Sequence, residues 1–214
     1  MSELESLLIK GADIVLSDDV YTGDILIKNG KIAEIAPSIS KSAEHVIKDK
    51  GLTVMPGCID THVHFREPGA THKEDIESGS QAAASGGVTT FFDMPNNTPL
   101  CTSIKEIEKK KAIAAKNSIV NYNFYIGATN ENIDDCVAVE NIAGIKIFMG
   151  SSTGDLLVDS PEVLDEIFQK ANKLIAVHAE DEAMVQEKME IFEDSTNVSD
   201  HMRIRYPAAA LKAT

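Results

Sequence analysis

No apolar run in this sequence approaches the ~20 residues that a bilayer-spanning helix needs. Its first residues, MSELESLLIKGADIV, carry charges throughout and do not read as a secretory signal. Cysteine is scarce. Cys58, Cys101 and Cys136 are scattered, odd in number and without CxxC spacing. That pattern argues against a disulfide framework and for reduced thiols in a cytoplasmic protein. Positive charge is also in deficit: 20 Lys and Arg stand against 34 Asp and Glu, a net charge of −14. Nucleic acid and anionic membrane are therefore poor partners, and an anionic small molecule would need a local positive site. Hydrophobic residues at 43% and charged residues at 25% are ordinary for a globular chain, and 214 residues suffice for one domain or two small ones.

Strand-like pieces follow one another over 7–9, 13–16, 24–28 and 31–35, then 46–47 and 52–54. Asn29-Gly30 is a strong hairpin signal. Residues 1–55 are predicted to form a small antiparallel β unit. From residue 58 the pattern changes. Strand candidates at 58–65, 88–94, 119–126, 142–149 and 174–178 alternate with helical stretches at 72–85, 103–116, 131–140, 160–171 and 181–192, and a further helix opens at 206. Ser103 with Glu106 reads as a capping box, and Ser160-Pro161 as a helix start. Repeated βα units predict an α/β fold with a parallel sheet, a (β/α)8 barrel type over residues 56–214. A closed barrel takes eight units and about 250 residues. Five units therefore predict the N-terminal part of a longer protein.

The chemistry gathers in PGCIDTHVHFREPG, residues 56–69. If the stretch is extended, His62, His64 and Arg66 share one face, and Val63 and Phe65 the other. Two imidazoles side by side on a strand are poor core material and good ligands for Zn²⁺ and similar ions. Barrel enzymes place functional groups at the C-terminal strand ends. Those ends hold His62, His64 and Arg66, then Asp93 to Asn97, then Lys146, then His178. Lys146 lies in the apolar run GIKIF, where a cation is costly to bury.

The stretch DTHVHFREPG resembles the first-strand motif of the amidohydrolase superfamily, in its dihydroorotase branch. Allantoinases are similar but usually carry Asn in place of Arg66. Hydantoinases and dihydropyrimidinases share the His-x-His without the Arg-Glu-Pro-Gly run. The resemblance implies reversible, metal-dependent cyclisation of N-carbamoyl-L-aspartate to L-dihydroorotate, a step of pyrimidine biosynthesis. It implies one or two Zn²⁺ ions held by His62, His64, Lys146 and His178, with Lys146 carboxylated and bridging. Asp155 is a weaker competitor for the bridging role. Arg66 and Asn96 match the residues that hold the substrate carboxylate. The N-terminal β unit matches part of a β-sandwich, and the full-length enzyme would be a homodimer. A further metal-binding His and the catalytic Asp of the family have no match up to Thr214, which implies that the chain alone is inactive. The alternatives are another cyclic amidohydrolase, an allantoinase or hydantoinase/dihydropyrimidinase, and, outside enzymology, a non-catalytic dihydroorotase-like scaffold subunit. His45, His72 and His201 fit no ligand position, and Asp93 is either a partner to a ligand or a strand-end cap.

Overall fold

The structure is a computed structural model that describes residues 5–48, 51–150 and 156–213. It divides into two compact units, residues 1–57 and 58–214.

In the first unit, β1 (Ser6–Val15) pairs antiparallel with β2 (Val20–Lys28), and β2 with β3 (Lys31–Ala36). Asn29 and Gly30 take φ values of 50° and 69°, the two left-handed positions of a tight hairpin turn. The two expected pieces at 7–9 and 13–16 are one strand. Its register slips between Ile9 and Ala12, at Gly11 with φ 69°. The Asp24 carboxylate accepts the freed Gly11 N–H at 2.9 Å and the Ile39 N–H at 2.8 Å.

The expectation of a purely antiparallel unit is corrected. β4 (His45–Lys48) and β5 (Thr53–Val54) both run parallel to β1, which makes a mixed five-stranded sheet. The cause is the crossover between β3 and β4. Asp24 grips it by the Ile39 backbone, and the Ile39 side chain packs with Leu8 and Leu26. The expected sandwich portion is, among the described residues, this single sheet.

In the second unit the parallel strands are β6 (Cys58–Val63), β7 (Val88–Asp93), β8 (Asn121–Gly127), β9 (Gly144–Phe148) and β10 (Ile175–His178). Each pairs with the next in sequence, giving a curled half-barrel sheet of βα units. The helices are α1 (Ile76–Ser85), α2 (Ile104–Asn117), α3 (Ile133–Ala138), α4 (Pro161–Lys170), α5 (Glu182–Ile191) and α6 (Val198–Ala213). Phe91, Phe124, Ile126, Ile145 and Ile147 pack with Ile107 of α2 and Ile167 of α4 in one core. Each fully buried side chain of this size contributes about 1.5–3 kcal/mol. Alternation then puts Phe92, Asn123, Tyr125, Lys146, Phe148 and His178 on the opposite sheet face.

Two helix starts differ from expectation. α1 begins at Ile76, not 72. Asp75 caps it through a reciprocal bond with Ser78, and Glu67 accepts the Ile76 N–H at 2.9 Å. α6 begins at Val198, with Pro207 in its interior. Pro marks first turns so strongly that the sequence pattern placed the start near it. Among the described residues no helix is long and apolar enough to cross a membrane.

Candidate metal and substrate site

Val63 pairs with Asp93 and packs against the core, so its neighbours His62 and His64 take the other face. Their ring centroids lie 5.2 Å apart. The His62 imidazole is held below its ordinary basicity, first by partial desolvation and then by the positive charge of Lys146, His64 and His178, against the pull of Asp60. The four nitrogen groups therefore share one local field. Their field favours the neutral His62 imidazole, the form that ligates metal.

Lys146 is only 3% exposed. Its ammonium lies over the Phe148 ring, 5.1 Å from the centroid, and burial lowers its basicity. Among the described residues no carboxylate pairs with it. The His178 ring stacks on the same Phe148 at 6.2 Å. Asp155, the competitor for the bridging role, lies outside the described residues.

The neighbouring polar groups assign a tautomer to each ring. His64 Nδ1 lies 2.7 Å from Asn96 Oδ1, so Nδ1 carries the proton and Nε2 keeps its lone pair. His178 Nε2 lies 2.6 Å from Glu180 Oε2, which leaves Nδ1 open. Glu180 is itself gripped by Arg205 of α6, whose Nε donates at 2.8 Å and whose Nη2 also donates. Burial works to raise the Glu180 carboxyl, but Arg205 and His178 outweigh it and hold the group below its usual range.

Arg66 is half-buried and forms no ion pair among the described residues, so its fork is free for an anion. Asn96 spends its oxygen on His64 and keeps its amide N–H groups for a ligand. Beneath them, Asp93 forms an ion pair of 2.6 Å with Lys110 of α2. Burial pushes the Asp93 carboxyl up, against the Lys110 charge and the Phe65 N–H.

The donor set suits a divalent metal in part. Two imidazoles with open lone pairs are what a zinc-type site uses, whereas a lysine amine is not itself among its usual ligands. However, no three His, Cys, Asp or Glu side chains come together among the described residues. His62 and His64 form a pair, and His178 stays with Phe148, Glu180 and Arg205. Sequence reasoning placed Asn97 and Glu180 at strand ends without a role, and missed Arg205 and Lys110. Lys110 had a readable signal: it falls on the buried stripe of α2 at Ile107, Lys110 and Ala114.

The profile of the amidohydrolase family matches residues 53–212. A dihydroorotase of Methanosarcina acetivorans is 36% identical over 96% of this chain and 45% of its own length. An allantoinase of Desulfitobacterium hafniense is 34% identical over 96% of this chain and 48% of its own. Among solved structures, the L-hydantoinase (dihydropyrimidinase) of Arthrobacter aurescens matches with a TM-score of 0.87 and 29% identity, over 93% of this chain and 46% of that one. The chain spans about half the length of the curated relatives it matches.

Proposed function

This chain belongs to the amidohydrolase family, in its cyclic-amidohydrolase group, and from that premise we propose that its parent enzyme is a dihydroorotase. The reading rests above all on Arg66, a guanidinium without a partner among the described residues, two residues past His64 in a chain of net charge −14. A planar fork binds a carboxylate in two places at once. L-dihydroorotate carries such a carboxylate, whereas an unsubstituted hydantoin does not.

In this reading His62 and His64 would hold one divalent ion, and His178 would contribute to a second. Lys146 would serve as a ligand after carboxylation by CO₂. Its depressed basicity leaves more free amine, whose nitrogen bonds to the carbon of CO₂ and releases a proton. The product is an anionic oxygen ligand, which also removes the buried cation. Bound Zn²⁺ would polarise the scissile ring carbonyl and supply a nucleophilic water. Asn96 keeps His64 in the ligating tautomer. Arg66 and the Asn96 amide hold the substrate carboxylate and so orient the ring carbonyl toward His62 and His64, which would hold the metal. In the hydrolytic direction the water oxygen bonds to the carbonyl carbon, the ring C–N bond breaks, one water proton passes to the nitrogen and the other is released as the new carboxyl group ionises. The full-length enzyme is read as a cytoplasmic homodimer with a small-molecule substrate.

The test is Arg66→Lys in the parent enzyme. The charge stays and the fork goes. kcat/KM for dihydroorotate should fall by about 10–100-fold, the worth of a hydrogen bond to a charged group. Metal content should not change. Equal kcat/KM in the variant, or equal turnover of hydantoin and dihydroorotate by the wild type, refutes the reading.

A further inference from the structure

Two loops carry the groups assigned to the substrate and to the first metal. The loop after β6 bears His64 and Arg66, and the loop after β7 bears Asn96. Their backbones are stitched together. Met94 N–H donates to Val63 O at 2.9 Å, and Thr98 N–H to Pro68 O at 3.2 Å. The Asn97 amide donates to Phe65 O and Glu67 O, both at 3.1 Å. Phe65 N–H donates to Asp93 Oδ1 at 2.8 Å. Gly69 lies so close that a Cβ there would stand 2.3 Å from Thr98 O.

One side chain closes the set from outside both loops. Lys110 Nζ reaches Asp93 Oδ2 at 2.6 Å, Asn97 Oδ1 at 2.6 Å and Met94 O at 2.9 Å. The contacts to Asn97 Oδ1 and Met94 O are hydrogen bonds, and the contact to Asp93 Oδ2 is an ion pair that is the sole polar contact of that buried oxygen among the described residues. The Lys110 and Asp93 side chains are 1% and 0% exposed. Filling this space does not require charge. Lys110 Nζ lies 4.9 Å from the centre of the Phe124 ring, and an apolar chain would pack there. Replacing a buried ion pair by apolar residues of like volume is often neutral or stabilising. Stability alone therefore does not account for a cation here.

We propose that Lys110 is a positioning residue. Through Asp93 and Asn97 it fixes the loop of His64 and Arg66 against the loop of Asn96. It touches neither substrate nor metal. The proposal rests on the site as read above and deepens it: Lys110 sets the distance between the ligating imidazole and the carboxylate-binding pair.

The test uses Lys110→Met and the double variant Asp93→Leu with Lys110→Met, which removes both charges together. The first readout is the His64 tautomer in the metal-free chain, by two-bond ¹H–¹⁵N NMR. The second is Zn²⁺ affinity, by competition with a chromophoric chelator. Wild type should show His64 protonated at Nδ1 alone. A folded variant should show mixed tautomers and a Zn²⁺ Kd raised by about 10–100-fold, as when a ligand loses its supporting partner. A folded variant with the wild-type tautomer and a Kd within about twofold overturns the proposal, because the ligand has then kept its support. Failure of both variants to fold overturns it too, since Lys110 is then a determinant of folding. If wild type binds no Zn²⁺, the proposed function fails, and the tautomer comparison still decides the role of Lys110.

Discussion

Lys146 and Lys110 show how differently one residue type is used when buried. Lys110 ends among three acceptors, and Lys146 ends over an aromatic face with no carboxylate beside it among the described residues. An unpaired buried ammonium costs stability that a paired one does not. The Lys146 cost has a defined pH dependence. Its folded-state pKa is depressed, so the unfolded chain binds more protons. Stability then rises with pH, from the depressed folded value up to the unfolded value of about 10.4. Lys146→Met should be at least as stable as wild type at neutral pH. The deficit of wild type relative to Lys146→Met should narrow as pH rises. Urea melts in CO₂-free buffer check this, and a deficit that widens with pH contradicts it. Wild type, and not Lys146→Met, should also take up ¹³C-labelled CO₂, read as a carbamate resonance.

At the scale of elements, short-range polar contacts decide geometry that hydrophobic pattern leaves open. Asp24 sits 4% exposed between the β1 bulge and the crossover loop. The Ile39 N–H, against the cost of burial and with help from Gly11 N–H and Lys10, holds its carboxyl below the ordinary value. A depressed carboxyl stabilises above the unfolded value of about 3.9, and that contribution is lost as pH falls toward the folded value. The first unit should therefore lose stability below about pH 4, and Asp24→Asn should flatten that part of the profile. Backbone amide exchange of Gly11 and Ile39 against pH is the measurement, and an unchanged profile in the variant would contradict the assignment. Glu67 and Gly69 belong to this scale too. Inside the REPG motif, Glu67 caps α1 and Gly69 lets two loops meet at φ 105°. Gly69→Ala combines a positive φ with a backbone clash, so it should weaken Zn²⁺ binding at His62 and His64 as well as stability.

Across the whole molecule, the described residues gather two imidazoles, a buried amine and a free guanidinium, yet no cluster of three conventional ligands. Catalysis in the proposed reading also needs a carboxylate to carry the proton to the leaving nitrogen, a service worth about 10²–10⁴-fold. Residues 1–214 assayed alone with added Zn²⁺ should accordingly bind metal weakly and not cyclise N-carbamoyl-aspartate. Turnover within about tenfold of a full-length relative would show that the acid–base group lies inside this chain.

Some of this was readable from residue order alone. The period-two stretch around His62 and His64, the alternation of strands with helices, the Asn29-Gly30 turn and the caps at Ser103 and Ser160 are local. Each is set by residues within a few positions of one another and stands in the fold, except that β6 ends at Val63, short of His64 and Arg66, and that Ser103 takes the Glu106 N–H without the reciprocal bond of a capping box among the described residues. Other features needed tertiary structure. A parallel rather than antiparallel β4 depends on Asp24 reaching Ile39, 15 residues away. The spacing of Ile107, Lys110 and Ala114 places Lys110 on the buried stripe of α2, but its partners Asp93 and Asn97 come from other elements that only packing brings to it. Arg205 reaches Glu180 across 25 residues, from a helix whose interior Pro207 hid its start. Sequence fixes what a residue offers and which face it takes. Whether a charge is buried, and which partner repays its desolvation, is decided when distant elements meet.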